Sequence, residues 1–293
     1  MVETLTTAFQ DQIKRAMALS RNPTVITEDN VYQEGNPDIL PILDEMVDHC
    51  FLPGSGLTGL ENLEELLAKA KEGKSCLLMV EHYSNFDLSI VSRLIRNAGG
   101  KEIDEAIISI SGMKLNEDNP VVAAFAGAYT RIVIFPSRSL QGLDPEKNKE
   151  EFARSNAINR AAMKALIRHK YKGRIILVFP SGTRYRAWDP ETKKGLREID
   201  SYIRSFDYMC FLALNGQTLH VQQTDMMNDA ISNDIVRVTA GPVVSCGEFR
   251  DAVIAGTGED EDKKQAVADA LMQELEKIHI AAEEERKKLL PSA

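Results

Sequence analysis

The sequence predicts an α/β protein with a mixed, largely parallel sheet flanked by helices, preceded by a small N-terminal helical segment. Helix-spaced and strand-like segments alternate along most of the chain, which is typical of this class. The apolar runs at residues 75–80 and 174–179 are short enough to be strands buried on both faces. A chain of 293 residues that is 43% hydrophobic can also form one large core. We place the N-terminal helical segment at residues 1–55 and the α/β domain at residues 56–293.

The individual elements follow from hydrophobic spacing. Leu5, Phe9, Ile13 and Met17 stand at helical steps and predict a helix over residues 4–20. Thr58 and Glu61 have the spacing of a capping box, which predicts the start of another helix. The remaining helices are expected at residues 39–51, 60–72, 88–96, 121–128, 149–170 and 263–290, and the strands at 75–80, 106–111, 131–135, 174–179, 209–214, 219–223 and 235–240.

The charge distribution indicates an anionic ligand but not a nucleic acid. The formal net charge of −9 argues against nucleic-acid binding, which needs a basic surface. Residues 160–204 nevertheless carry a local excess of eight positive charges, which leaves −17 for the rest of the chain. A solvated helix face with Lys164, Arg168 and Lys172 accounts for about half of that excess. The remainder favours a bound anion.

Cysteine usage and hydropathy indicate a cytoplasmic protein. Cys50, Cys76, Cys210 and Cys246 form no Cys-x-x-Cys pair and show no zinc spacing with the histidines, so we expect reduced thiols and no metal. The N-terminus lacks the basic and apolar segments of a secretory signal. No apolar stretch approaches the roughly 20 residues needed to span a bilayer, so membrane contact is expected to be peripheral.

The first chemistry-bearing segment is Val80-Glu-His-Tyr-Ser-Asn-Phe-Asp87, between a buried strand and a helix. Ligands bind at that edge of an open α/β sheet. His82 and Asp87 would be separated by about 140° on a regular helix, so a pairing requires Ser84 and Asn85 to form a turn. A carboxylate bound to one imidazole nitrogen leaves the other as a base. Alternatively, Asp87 only caps the helix and His82 is an ordinary loop histidine.

Two further segments end strands with cations. Phe179-Pro-Ser-Gly-Thr-Arg-Tyr-Arg186 supplies a tight turn at Ser181 and Gly182, followed by Arg184 and Arg186, which can converge on one anion. Ile132-Val-Ile-Phe-Pro-Ser-Arg-Ser139 ends in Arg138 and Ser139. If the three strands are parallel neighbours, these groups share one edge of the sheet. The alternative is a set of ordinary surface arginines.

A glycine pattern at Gly54, Gly56 and Gly59, with Glu81 further on, imitates a dinucleotide-binding fingerprint. That fingerprint needs a buried strand before the first glycine. Residues 39–47 keep helical spacing instead, and Pro53 adjoins Gly54. We therefore reject a nucleotide site, and we expect no bound cofactor.

The three segments together resemble the glycerolipid acyltransferase superfamily, which is defined by His-x-x-x-x-Asp followed by arginine-bearing blocks. The chain is most similar to the soluble, plastid-type glycerol-3-phosphate 1-O-acyltransferases, which carry Pro-Ser-Gly-x-Arg-x-Arg in the third block. Ser181 agrees with that type, whereas Thr183 agrees with the Pro-Glu-Gly-Thr-Arg of lysophosphatidate acyltransferases. The resemblance covers residues 70–230. Arg138 and Ser139 replace a Lys-His pair, and Phe211 replaces a proline.

The resemblance implies that His82, oriented by Asp87, is the general base that activates the sn-1 hydroxyl of glycerol 3-phosphate. Arg138, Arg184 and Arg186 would then hold the phosphate. Backbone N–H groups near Ser181 and Gly182, or at the start of the helix after Asp87, would stabilise the oxyanion.

The expected partners are an acyl thioester, on acyl carrier protein or coenzyme A, and a transient membrane surface. Two alternatives remain at this point. One is a lysophosphatidate acyltransferase, and the other is a non-catalytic module that binds lipid phosphates.

Overall fold

The computed structural model describes residues 3–117, 119–224 and 226–290. Its helices are α1 Leu5–Ala8, α2 Gln10–Leu19, α3 Leu40–Cys50, α4 Leu60–Lys71, α5 Asp87–Asn97, α6 Lys101–Ala106, α7 Lys114–Glu117, α8 Pro120–Ala126, α9 Lys149–His169, α10 Ile199–Ser205, α11 Cys246–Gly256 and α12 Lys263–Lys287. Its strands are β1 Tyr32–Gln33, β2 Gly56–Thr58, β3 Cys76–Val80, β4 Ile107–Gly112, β5 Arg131–Ile134, β6 Ile175–Val178, β7 Tyr208–Asn215, β8 Leu219–His220, β9 Ala230–Ile231, β10 Arg237–Ala240 and β11 Val244–Ser245.

One nine-stranded sheet organises the fold, with the order β1-β5-β4-β6-β3-β7-β10-β2, and β11 also pairs with β7. The central strands β5, β4, β6, β3 and β7 are all parallel, whereas β1 and β10 join antiparallel to β5 and β7. Every residue of β3 and β6 is buried, as their continuous apolar runs predicted. The α/β class with a mixed, largely parallel sheet is therefore confirmed.

Helices cover both faces of the sheet, and each face has its own apolar cluster. Side chains of β3 alternate between the two clusters: Cys76, Leu78 and Val80 enter one, and Leu77 and Met79 enter the other. The first cluster lies under α3, α4 and α5, and the second lies under α9, α10 and α12. This alternation follows from the twofold period of a strand.

The N-terminal segment packs into the same core as the rest of the chain. Leu5, Phe9 and Ile13 belong to the cluster that contains the β3 side chains. The predicted helix over residues 4–20 is two helices, because Phe9 leaves the helical conformation between α1 and α2. Tyr32 and Gln33 add an antiparallel edge strand to β5, which the sequence reading did not predict.

Two further predicted details are wrong. Helix α4 is not capped by Thr58, because Thr58 belongs to β2 and its hydroxyl accepts a hydrogen bond from Arg237 at 2.6 Å. Gly59 is the N-cap residue, in the left-handed conformation with φ +81°. The strand expected at residues 219–223 is only Leu219–His220, which pairs with β9 in a separate two-stranded sheet.

The glycine pattern at residues 54–59 has a packing function. Helix α3 precedes it, as predicted, so no buried strand leads into the first glycine. A Cβ atom on Gly59 would lie 2.3 Å from the carbonyl oxygen of Ala240 in β10. Gly59 thus lets the chain turn from β2 into α4 against the backbone of β10.

Gly59→Ala should therefore destabilise the protein by about 2 to 4 kcal/mol, from backbone strain and the collision with Ala240 together. Gly73 is the matched control, since its φ is +83° but nothing lies within 4 Å of an added Cβ. Gly73→Ala should cost about 1 kcal/mol, the strain alone. Urea unfolding measures both. Equal losses would show that the close approach to Ala240 contributes nothing.

Candidate active site

The turn between β3 and α5 brings His82 and Asp87 together. β3 ends at Val80, and Asp87 is the first residue of α5, so the intervening residues are free of helical geometry. The Nδ1 atom of His82 lies 2.8 Å from Oδ2 of Asp87. The pairing predicted from the sequence is therefore present. Since the carboxylate accepts the Nδ1 proton, Nε2 is the ring nitrogen left as a proton acceptor.

The same turn holds the Asp87 carboxylate in place. The backbone N–H groups of Tyr83 and Ser84 donate to it, and the Ser84 hydroxyl donates to Oδ1 at 2.8 Å. The Ser84 hydroxyl oxygen in turn accepts from the N–H of Phe86 at 3.1 Å. Asp87 is 2% exposed, so these donors replace the water that it loses. Asp87 is thus an orienting group for His82, and it accepts from the residues before its helix.

The segment after β6 completes the surroundings of His82. β3 and β6 are neighbours, with Met79 opposite Val178, so the residues that follow both strands lie side by side. The ring of Phe179 stacks on His82 with centroids 4.1 Å apart. The N–H of Tyr185 donates to the His82 carbonyl oxygen at 2.8 Å. The imidazole is therefore fixed by its carboxylate on one side and by an aromatic ring on its face, while 19% of the side chain stays exposed.

A buried carboxylate beside His82 links the site to the C-terminal helix. Glu81 accepts from the Tyr83 hydroxyl at 2.9 Å and from the N–H of Leu214 at 2.8 Å. Its Oε2 also lies 2.9 Å from Nδ1 of His279 in α12. Sequence reading missed this network. The signal was an acidic residue at the end of an otherwise apolar strand, but its partner is almost two hundred residues away along the chain.

The three predicted arginines differ in whether a carboxylate of the protein already pairs with them. Nη1 of Arg184 lies 2.8 Å from the fully buried Oδ2 of Asp229, so much of its charge is compensated within the protein. Arg186 and Arg138 are half-buried and form no ion pair with any residue that the structure describes. These two guanidinium groups are the ones most available to an anion.

The block that carries Arg138 and Ser139 follows a strand that is adjacent to neither β6 nor β3. β4 separates β5 from β6, so the three strands share one edge but are not direct neighbours, and β5 is two strand spacings of about 4.8 Å each from β6. Ser139 lies in the 3₁₀ turn Ser137–Leu140. Arg138 lines a groove of about 550 Å³ whose walls also carry Lys194 and three carboxylates. The groove has mixed charge.

The turn at Ser181 and Gly182 supplies the candidate oxyanion donors. Gly182 has φ +63°, a conformation that favours glycine, and a Cβ atom there would lie 2.2 Å from the Leu196 side chain, which would have to move. Its N–H donates to the Phe179 carbonyl oxygen at 2.9 Å and is already used. Within the described ranges, the N–H groups of Ser181 and Thr183 have no acceptor. Ser181 and Thr183 are therefore better candidates than Gly182.

A cavity of about 20 Å³ lies behind His82, lined by Tyr83, Ser181, Tyr185 and Lys193 among others. It has room for about one water molecule. Thr192 lines both this cavity and the groove beside Arg138. Its hydroxyl accepts from the N–H of Arg186 at 2.9 Å. Thr192 therefore lies between the two spaces and is tied to the backbone of Arg186.

The basic region at residues 160–204 is partly neutralised. Four of its cations form ion pairs: Arg184 with Asp229, Lys193 with Glu276, Lys194 with Glu191, and Arg197 with Asp262.

The four free thiols are buried, and burial raises the pKa of Cys76 to about 12. In the described part of the chain, no cluster of three His, Cys, Asp or Glu residues can hold a metal ion. None of the described helices is long and apolar enough to cross a membrane.

No model of a known protein family matches the chain, and no curated protein matches it significantly.

The Glu81 contact should make stability depend on pH. Burial lowers the pKa of His279, but the hydrogen bond and charge of Glu81, together with Glu276, outweigh burial and leave that pKa raised. The stabilisation should be complete below the ordinary histidine pKa of about 6.5 and lost as the pH rises through the raised value. At pH 5.5, urea unfolding should give His279→Gln a free energy of unfolding about 1 to 2 kcal/mol lower than that of the wild type. At pH 9 this difference should be smaller. A difference that is equal at both pH values would contradict this.

Proposed function

We propose that this protein is a glycerol-3-phosphate 1-O-acyltransferase, which moves a fatty acyl group from a thioester to the sn-1 hydroxyl and releases lysophosphatidate. The observation that carries the proposal is the His82 and Asp87 pair, 2.8 Å apart at the carboxyl end of a buried parallel strand. The arginine-bearing segment after the neighbouring strand supports it. The resemblance of the three sequence segments to glycerolipid acyltransferases points to the same reaction.

His82 acts first as a base and then as an acid. Nε2 accepts the proton of the sn-1 hydroxyl while that oxygen attacks the thioester carbonyl carbon. The resulting tetrahedral oxyanion is stabilised by backbone N–H groups of the Ser181 turn. Collapse breaks the carbon–sulfur bond, and the imidazolium returns its proton to the departing thiolate. Asp87 stabilises the imidazolium throughout and keeps Nδ1 protonated.

The phosphate of the acceptor is bound by guanidinium groups. Arg186 contributes most in this proposal, because it is half-buried, lies two residues from Arg184 and has no carboxylate partner among the described residues. Arg184 contributes less, because Asp229 shares its charge. Arg138 and Ser139 would meet the phosphate from the groove side. Fixing the phosphate places the hydroxyl at Nε2, which lowers the entropic barrier to reaction.

Acyl carrier protein and coenzyme A are both anionic, so either thioester donor suits the cations of residues 160–204 that remain unpaired. The negative charge elsewhere on the chain would repel an acidic carrier from other faces. The product has one acyl chain and a phosphate, and it partitions into bilayers. Brief contact with a membrane surface is therefore part of the proposal.

His82→Ala should lower the turnover rate by about 10² to 10⁴-fold, because it removes the proton acceptor. Asp87→Asn should lower it by about 10²-fold or more, because the imidazolium loses its stabilising charge. Release of free thiol from acyl carrier protein or coenzyme A thioesters, with glycerol 3-phosphate as acceptor, measures both.

The control for these variants is His49→Ala, at an exposed position near the end of α3, which should keep full activity. Circular dichroism confirms that each variant is folded. Activity of His82→Ala equal to wild type would refute the proposal, and turnover only with lysophosphatidate would assign the second acylation step instead. Binding of glycerol 3-phosphate without turnover of any acceptor would leave a lipid-phosphate binding module.

Arg186→Ala should lower kcat/KM for glycerol 3-phosphate by about 10 to 100-fold, the equivalent of a lost charge-assisted hydrogen bond. The slow reaction with glycerol, which has no phosphate, should not change. Arg204→Ala is the matched control, since Arg204 is an exposed cation of the same basic region. Equal losses of kcat/KM with both acceptors would mean that Arg186 does not bind the phosphate. Arg184→Ala is a poorer test, because it also disturbs the ion pair with buried Asp229.

A further inference from the structure

Helix α9 and the turn after it expose three large apolar side chains to solvent. Met163, Ile167 and Tyr171 follow one another at steps of four residues, and each is more than half exposed, at 52%, 54% and 52%. Side chains four residues apart lie on the same face of a helix. The opposite side of α9 is already buried in the core through Ile158, Ala162 and Leu166. The outward apolar line is therefore additional to the face that holds the helix on the sheet.

A line of cations runs beside these apolar side chains. Arg160, Lys164, Arg168 and Lys172 also follow at steps of four residues, and all four are exposed. None of them forms an ion pair with a residue that the structure describes. On the other long helix, α12, exposed lysines are paired. Its Lys277 and Lys287 both bind glutamates within the same helix. The charge of these four cations is thus uncompensated among the described residues, although the protein as a whole has a net charge of −9.

We propose that this face of α9, defined by Arg160, Met163, Lys164, Ile167, Arg168 and Tyr171, binds the surface of an anionic lipid bilayer. A row of apolar side chains beside a row of cations is the pattern of a helix that lies in the membrane interface. The apolar groups enter the boundary between headgroups and acyl chains, and the cations bind lipid phosphates. Tyr171 suits the same depth, because its ring is apolar and its hydroxyl stays hydrated.

Charge and shape favour a bilayer over a protein partner. Residues outside 160–204 carry a net −17, so an anionic surface repels most of the molecule and attracts this side. The face is one convex helix. A lipid surface adapts to such a shape, whereas a protein partner would need a matching groove. The biological use rests on the proposed function, since the product of that reaction is an amphiphile, but the binding itself needs no chemistry at His82.

The test is cosedimentation of the purified protein with vesicles of phosphatidylcholine alone and with added phosphatidylglycerol, without substrates. The wild type should bind the mixed vesicles, bind pure phosphatidylcholine much more weakly, and dissociate as salt is added. Lys164→Glu with Arg168→Glu should weaken binding by about tenfold or more. Met163→Ser with Ile167→Ser should weaken it to a similar extent at every salt concentration.

The matched control lies on α12, where Ile280 is 57% exposed but its surroundings are acidic. Ile280→Ser with Lys277→Glu should bind vesicles as the wild type does. All these positions are exposed, so thermal unfolding should show that the variants fold normally. Wild-type binding by both α9 variants, or no preference for anionic vesicles, would overturn the proposal. The proposal would also be overturned by α9 variants that still bind vesicles but are no longer saturated by acyl carrier protein. The face would then be a protein-docking surface.

A vesicle-free assay separates this inference from the proposed function. With a short-chain acyl-coenzyme A and glycerol 3-phosphate, Met163→Ser with Ile167→Ser should turn over at the wild-type rate, since neither side chain is a cation that could bind the donor. Absence of turnover in the wild type, together with binding to anionic vesicles that depends on α9, would overturn the enzymatic proposal and leave the membrane face standing. Loss of soluble activity in Met163→Ser with Ile167→Ser would instead show that the face acts through the active site.

Discussion

The hydrogen bonds to the Asp87 carboxylate determine the geometry of the candidate site. His82, Tyr83 and Ser84 all donate to it, so one buried group fixes the turn between β3 and α5 and orients the imidazole within it. Without the carboxylate, two backbone N–H groups would be buried without an acceptor, which is costly. The group that orients His82 is therefore also the group that holds the local backbone.

The sheet supplies the second constraint, because β3 and β6 are adjacent parallel strands. Their carboxyl ends place the His82 turn beside the Ser181 turn, and the Tyr185 N–H and the Phe179 ring connect the two. Glu81 extends this connection to α12 through His279. The site is thus assembled from segments about one hundred residues apart, with a rigid core beneath it. The exposed cations of α9 lie on the same chain segment that leads into β6.

Most of the fold and the central pair could be predicted from local signals. Continuous apolar runs identified β3 and β6, and the Ser84-Asn85 turn predicted the contact of His82 with Asp87. The predictions that failed concern contacts with residues that are distant in the sequence. Nothing near Gly59 indicates that Ala240 lies against it, so the local sequence predicts Thr58 as the cap. Nothing near Arg184 reveals the buried Asp229, and nothing near Arg138 shows that β4 intervenes. Short edge strands such as β1 carry too few residues for a periodic pattern.

In the proposed reaction, Nε2 of His82 is a free base held beside a phosphate site. Nitrogen-15 NMR of the histidine side chains tests it most directly. Neutral His82 should carry its proton on Nδ1, and its Nε2 resonance should shift when glycerol 3-phosphate is added but not when glycerol is added at the same concentration. A proton on Nε2 in the neutral ring, or a resonance indifferent to glycerol 3-phosphate at saturating concentration, would contradict it.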